Sequence, residues 1–164
     1  MKHTLSVLVE NHAGVLSRIS GLFARRGFNI DSLAVGTTAD PAVSCVTIVV
    51  DDKENEIEQI NKQLNKLIDV IKLKDFVPEE IVSRELMLLK VSATDQSRSR
   101  IAELASLAGA KVADITRSSM TLECCDTPDR LENLLELMRP FGLKRVVRTG
   151  TIALEKGNEQ LTID

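Results

Sequence analysis

Two kinds of hydrophobic spacing follow one another along the chain, and then the succession starts again. Leu5-Ser6-Val7-Leu8-Val9 is an apolar run of strand length that stops at Asn11. Beyond Gly14 the spacing becomes helical, with Val15, Leu16, Ile19, Leu22 and Phe23 sharing one face. Arg25 and Arg26 fall in the last turn, where the helix dipole favours cations, and Gly27 reads as the C-cap. A strand from Phe28 to Gly36, a turn at Asp40-Pro41 and the β-branched run Val43 to Val50 follow. Asp51 and Asp52 end that run and offer caps for a helix carrying Ile57, Ile60, Leu64, Leu67 and Ile68. Val70 to Val77 is the last strand of this half, and Pro78-Glu79-Glu80 reads as a short exposed linker.

The second half runs in the same order. Arg84 to Ala93 is a strand around Leu86-Met87-Leu88-Leu89, and Thr94-Asp95 can cap a helix holding Ile101, Leu104, Ala105 and Ala108, ended by Gly109. Ala110 to Thr116 and Met120 to Cys125 read as a hairpin pair. Thr127-Pro128-Asp129 starts a helix with Leu131, Leu134, Leu135 and Met138 inward, stopped by Pro140. Leu143 to Leu154 is the closing strand, and the polar tail after Gly157 is expected to fray. The fold class that follows is α+β: two tandem ferredoxin-like βαββαβ domains. The expected boundaries are 1–77, a linker at 78–83, and 84–164.

The turn between the first strand and first helix is the candidate site. Gly14 permits a tight backbone turn, and the exposed N–H groups of the helix start attract a carboxylate or phosphate. In a ferredoxin-like sheet the strand from Phe28 to Gly36 lies on an edge, and it carries no strong edge blocker. Pairing of that edge with a second copy across a two-fold axis would bring the other copy's Asn29 and Ile30 to the end of the sheet that holds Asn11 and Gly14. Each residue also has a plainer reading: Asn11 as a turn residue or cap, Gly14 as a turn glycine, Asn29 as a strand start. The loop after Ala93 has no counterpart of Asn11 or Gly14, so only the first half is expected to hold a ligand.

Composition narrows the function more than it names it. The 164 residues carry a net charge of -3, with four Phe and no Tyr or Trp. A nucleic-acid binder on this fold would use sheet aromatics and a basic face, and neither is expected here. No stretch reaches the length of a membrane span, and no signal-peptide pattern opens the chain, so a cytoplasmic location is expected. Cys45, Cys124 and Cys125 make neither a disulfide framework nor a zinc spacing. His3 and His12 read as solvated and without triad partners. Arg98, Arg100, Lys144, Arg145 and Arg148 read as solvated charge. No catalytic residue and no metal site is expected, and no phosphate-binding glycine loop of Walker or dinucleotide type is present.

The segment Glu10-Asn11-x-x-Gly14-Val15-Leu16 with Arg26-Gly27-Phe28-Asn29-Ile30 resembles the signature of ACT domains, the amino-acid-sensing regulatory modules. Asn29-Ile30-Asp31-Ser32-Leu33, Gln63-Leu64-Asn65-Lys66-Leu67, Arg84-Glu85-Leu86-Met87-Leu88 and Arg148-Thr149-Gly150 more closely resemble the small regulatory subunits of acetolactate synthase (acetohydroxyacid synthase). The resemblance runs from Lys2 to about Gly157. It implies a non-catalytic regulatory subunit that binds and activates a large catalytic subunit and confers feedback inhibition by valine in branched-chain amino-acid synthesis. It implies no cofactor in this chain, with thiamine diphosphate, magnesium and FAD on the catalytic partner. It implies a homodimer through the N-terminal domain, with effector contacts at Asn11, Gly14, Val15 and Leu16 and, from the other protomer, Asn29 and Ile30. The alternative is a stand-alone ACT-type sensor acting on another enzyme or on a transporter. The chain departs from the family pattern at Cys45, where Arg is common, and at Cys124-Cys125-Asp126, where a Thr-Gly turn is common.

Overall fold

A computed structural model describes residues 1–52 and 56–162. The chain divides into two compact units, residues Met1–Val82 with Thr151–Asp164, and residues Ser83–Gly150.

The first unit begins with β1 (Lys2–Glu10), α1 (Val15–Arg26), β2 (Ile30–Thr37), β3 (Val43–Asp51), α2 (Ile57–Asn65) and β4 (Val70–Phe76). The sheet order is β2-β3-β1-β4, with the pairs β1–β3, β1–β4 and β2–β3 all antiparallel, so β2 lies on an edge as expected. Alternation puts Leu5, Val7 and Val9 of β1 and Val46, Ile48 and Val50 of β3 on the helix side, where they pack with Ile19, Leu22, Phe23, Ile60 and Leu64. Gly27 caps α1 at φ 73°, and the chain turns so that Phe28 meets Phe23 edge-on at 6.4 Å between centroids. That packing delays the strand, which starts at Ile30 rather than Phe28. Leu16 and Ile68 depart from their predicted faces. Leu16 is 44% exposed at the start of α1, and Ile68, beyond the end of α2, is 90% exposed.

The second unit carries β5 (Ile81–Ser92), α3 (Arg98–Leu107), β6 (Lys111–Ile115), β7 (Ser119–Asp126), α4 (Pro128–Met138) and β8 (Leu143–Arg148), with sheet order β6-β7-β5-β8. Met87, Leu89 and Val91 of β5, Met120, Leu122 and Cys124 of β7, and Ile101, Ala105, Leu131, Leu134 and Met138 form its core. Arg148 is not solvated: its guanidinium donates to Glu85 at 2.9 and 3.1 Å and to Glu132 at 3.1 Å.

The predicted closing strand from Leu143 to Leu154 is two strands. The chain leaves β8 after Arg148, passes Gly150 at φ 89°, and forms β9 (Ile152–Glu155) in the first unit. The Thr151 N–H donates to Ser32 Oγ at 2.9 Å, Lys156 N–H donates to Glu80 O at 2.8 Å, and Lys74 Nζ meets Glu155 at 3.6 Å and Glu159 at 3.3 Å. Ser32 and Lys74 are in register with Val49 and Ser6, so these contacts fall on the sheet face opposite the helices. Ser6, Leu8, Thr47, Val49 and Phe76 on that face are all buried. Residues 151–162 therefore differ from their expected place at the end of the second domain, and the tail beyond Gly157 still makes the Glu159 contact. Its last two positions, 163–164, lie outside the described residues.

Candidate functional site

The β1–α1 turn is built from the end of a buried strand. Glu10 N–H donates to Asp69 O at 2.9 Å, and Asn11 N–H to Ala42 O at 2.8 Å, so the turn is anchored on both sides. The Asn11 side chain donates Nδ2–H to Pro41 O at 2.8 Å, which ties it to the β2–β3 loop and leaves its Oδ1 as an acceptor. Gly14 then sits at φ 92° as the residue before α1, a left-handed conformation that a side chain would strain.

Gly14 is the N-cap residue but has no side chain to accept a first-turn N–H. Arg18 N–H donates to Gly14 O at 3.0 Å, so regular helical bonding begins there. Among the described residues no side chain caps the helix, no acidic residue lies in its first turn, and no acceptor is recorded for the N–H groups of Val15, Leu16 and Ser17. Unsatisfied N–H groups at the positive end of the dipole suit an anion. Val15 is buried and anchors the turn, while Leu16 offers apolar surface beside it.

Asn29 and Ile30 lie at the other end of α1 of the same chain, ~18 Å away along a helix of this length. Asn29 Nδ2–H donates to Asp31 Oδ1 at 3.3 Å, and Ile30 packs against the first core. The register explains the separation: Ile30 pairs with Val50, whereas Thr37 pairs with Ser44, the partner of Val9 beside the turn. A cleft of about 280 Å³ lies beside Asn29, lined also by Arg26, Phe28, Asp51, Asp52 and Glu56, and does not include Asn11 or Gly14. The carboxylates in it make it a poor place for an anion.

His12 is not simply solvated. Its Nδ1–H donates to Ala13 O at 3.1 Å, and its Nε2 faces Glu10 Oε2 at 3.1 Å and Asp69 Oδ1 at 3.0 Å. Acceptors on both ring nitrogens favour the doubly protonated ring. The Ala13 carbonyl and then the Glu10 carboxylate raise the His12 pKa above its ordinary value. The other Asp69 oxygen takes the Arg18 guanidinium. The donor atoms of Glu10, His12 and Asp69 lie within 4.8 Å of one another and could together hold a metal ion, though Arg18 and a protonated His12 already neutralise the carboxylates. His3 is likewise paired, with Nδ1 at 3.2 Å from Asp75. Burial pushes the Cys124 thiol pKa up, away from thiolate chemistry.

Residues 5–72 match the family described as AHAS small subunit-like ACT domain, and residues 84–157 match the small subunit of acetolactate synthase. The chain belongs to the acetolactate synthase small-subunit family. It is 48% identical over 155 residues to the acetolactate synthase small subunit of Mycolicibacterium smegmatis, covering 94% of this chain and 91% of that one. It is 46% identical over 160 residues to the probable acetolactate synthase small subunit of Archaeoglobus fulgidus, covering 98% and 100%. The crystal structure of the acetolactate synthase small subunit from Thermotoga maritima, 34% identical, superposes with a TM-score of 0.86 over 97% of this chain and 99% of that one.

In this small-subunit chain, sequence reasoning missed Arg18 and Asp69 and misread His12. Arg18 was within reach: it stands four residues after Gly14, and helical side chains lean toward the N-terminus. Asp69 was not, because its place beside the turn depends on pairing between strands far apart in sequence.

Proposed function

We propose that this chain is a non-catalytic regulatory subunit: it binds the large catalytic subunit of acetolactate synthase, raises its activity and makes it sensitive to feedback inhibition by valine. The supporting observation is the uncapped start of α1 behind Gly14 in a chain of this family. The reaction on the catalytic subunit condenses two pyruvates, or pyruvate with 2-ketobutyrate, toward the branched-chain amino acids. Thiamine diphosphate, magnesium and FAD would reside on that partner. This chain lacks the Gly-Asp-Gly pattern with downstream Asn that thiamine enzymes use, so no step of the chemistry is assigned to its residues. With no helix among the described residues long and apolar enough to cross a membrane, we place the assembly in the cytoplasm, where the biosynthesis would run.

In this reading the valine carboxylate meets the N–H groups from Gly14 to Leu16, and its ammonium meets acceptors such as Asn11 Oδ1. The isopropyl group lies against Leu16 and against Ile30 of a second copy, whose Asn29 completes the rim. The register supports this: an antiparallel two-fold pairing of β2 edges sets the second copy's Ile30 near Thr37, at the end of the sheet that holds the turn. An apolar pocket separates ligands differing by one methylene by only about 1–3 kcal/mol, so leucine and isoleucine are weaker competitors rather than excluded ones. A ligand held between two copies regulates by binding one arrangement of them better than another.

The test is acetolactate formation by purified catalytic subunit, with and without this chain and with and without valine. Stimulation by the chain and its suppression by valine support the reading. A chain that binds valine yet neither associates with nor stimulates the catalytic subunit would instead favour a stand-alone sensor of another enzyme or a transporter.

A further inference from the structure

We infer that Arg18, held by the buried Asp69, anchors the carboxylate of the amino-acid effector at the open start of α1. This rests on the effector reading above and adds to it a side chain outside the six effector residues expected from the sequence.

Arg18 lies one turn inside α1, and its guanidinium folds back over the turn that precedes the helix. A Cβ placed on Gly14 would lie 3.9 Å from Arg18 Nη2. The guanidinium and the unpartnered first-turn N–H groups therefore border the same opening. Nη1 is engaged by Asp69 Oδ2, while no acceptor is recorded for Nη2 or Nε among the described residues, and the side chain is 52% exposed. A planar fork with unused donors matches a carboxylate, and a charge-assisted pair there adds to the backbone N–H groups.

Asp69 is what makes the arrangement specific. It is 4% exposed, and it reaches the turn because Glu10 N–H donates to its carbonyl at 2.9 Å. One carboxylate oxygen takes Arg18 and the other lies 3.0 Å from His12 Nε2. Arg18 and the His12 ring occupy the two oxygens of this carboxylate, so it orients Arg18 through Nη1 without consuming the whole guanidinium. A free surface arginine would sample many rotamers and lose that freedom on binding, whereas a tethered one has already lost it.

Gly14 gains a second role. Besides adopting φ 92°, it keeps the gap between Arg18 and the helix start empty. An aspartate at that position would put a carboxylate beside Arg18 and occupy the guanidinium from within the chain.

The experiment is calorimetric titration of the full-length chain with L-valine and with L-valinamide, which keeps the ammonium and isopropyl groups but has no anionic carboxylate. Arg18→Gln is expected to weaken valine by about 10- to 100-fold, the range for losing a hydrogen-bonded charge partner, and Arg18→Lys to fall between it and the wild type. Asp69→Asn should weaken valine less than Arg18→Gln. Valinamide should bind wild type and Arg18→Gln within a factor of about two, which a general disturbance of the fold would not produce. The inference is overturned if valine binds Arg18→Gln as tightly as wild type, or if valinamide weakens in parallel with valine. If Gly14→Asp loses valine while Arg18→Gln keeps it, the effector site stands and the role of Arg18 falls. If the wild-type chain gives no heat with valine, the effector reading itself fails.

Discussion

The two units repeat one topology, yet the turns that lead into their first helices are built from different polar contacts. In the second unit a reciprocal pair braces the turn before α3: Ser97 N–H donates to Thr94 Oγ1 at 3.1 Å, and Thr94 N–H donates to Ser97 Oγ at 2.8 Å, although no side chain caps the helix itself. Arg98, the first residue of α3, turns away from the opening to Asp95 at 3.2 Å and to the Arg117 carbonyl at 2.7 Å. In the first unit the residues at the same two positions relative to the helix are Asn11 and Gly14. Asn11 spends its donor on the β2–β3 loop, and Gly14 has no side chain to spend. The turn before α1 thus lacks the reciprocal bonds of the turn before α3, and Arg18 lies over it. Both units bury an apolar sheet face under two helices, while the polar residues around this turn differ.

Matched core deletions test the half of that comparison in which the units agree, and they carry the largest effects. Leu64 in α2 and Leu134 in α4 are both fully buried, at 0% and 1% exposure. Leu64→Ala and Leu134→Ala should each cost about 2–5 kcal/mol in urea denaturation. A cost below about 1 kcal/mol for either would mean that the cores are not equivalent.

The open turn is probed next. Gly14→Asp sets a carboxylate against that of the ligand and should weaken valine inhibition of the holoenzyme by roughly 100-fold or more, since like-charge juxtaposition costs several kcal/mol. Activation by the variant should persist. Inhibition at the wild-type valine concentration would remove this turn from the site. The braced turn gives a smaller effect of another kind. Thr94→Ala removes the Thr94 Oγ1 bond in the turn before α3 and should cost about 0.5–1.5 kcal/mol of stability, the net worth of one hydrogen bond, with the valine response unchanged.

The smallest effect is the dependence on pH. The folded-state pKa of His12 is raised, so its favourable contacts with Glu10 and Asp69 are fully present below the ordinary imidazole pKa and fade as pH rises through the raised value. A protonated His12 also offsets the carboxylates around Arg18. Valine affinity should therefore fall, by a few-fold, as pH climbs from just below the ordinary value to above the raised one. His12→Gln should flatten that slope, and an unchanged slope would show that another group titrates.

Much of the architecture is legible in the sequence. Helical spacing located α1, α3 and α4, β-branched runs located β1 and β3, and Gly27 and Gly109 marked helix ends, because each signal lies within a few neighbouring residues. The edge position of β2 followed from the topology alone. What failed was long-range. Ile68 fits the α2 stripe by spacing, but the helix has ended before it. Arg148 reads as free charge until β8 pairs with β5 and sets it beside Glu85. Leu143 to Leu154 reads as one strand, and nothing local says that its second part crosses to the first unit.

From its residues alone the chain dictated a doubled βαββαβ order, the glycine that ends α1 and the glycine turn that precedes it. These depend on backbone preference and on periodicity, which act between near neighbours. Only the tertiary structure put Asp69 between His12 and Arg18, and Thr151 against Ser32, because hydrogen bonds and ion pairs act over a few ångströms while their partners are separated by 51 to 119 positions of chain. Sheet register brings such groups within reach, and register is a property of the assembled fold.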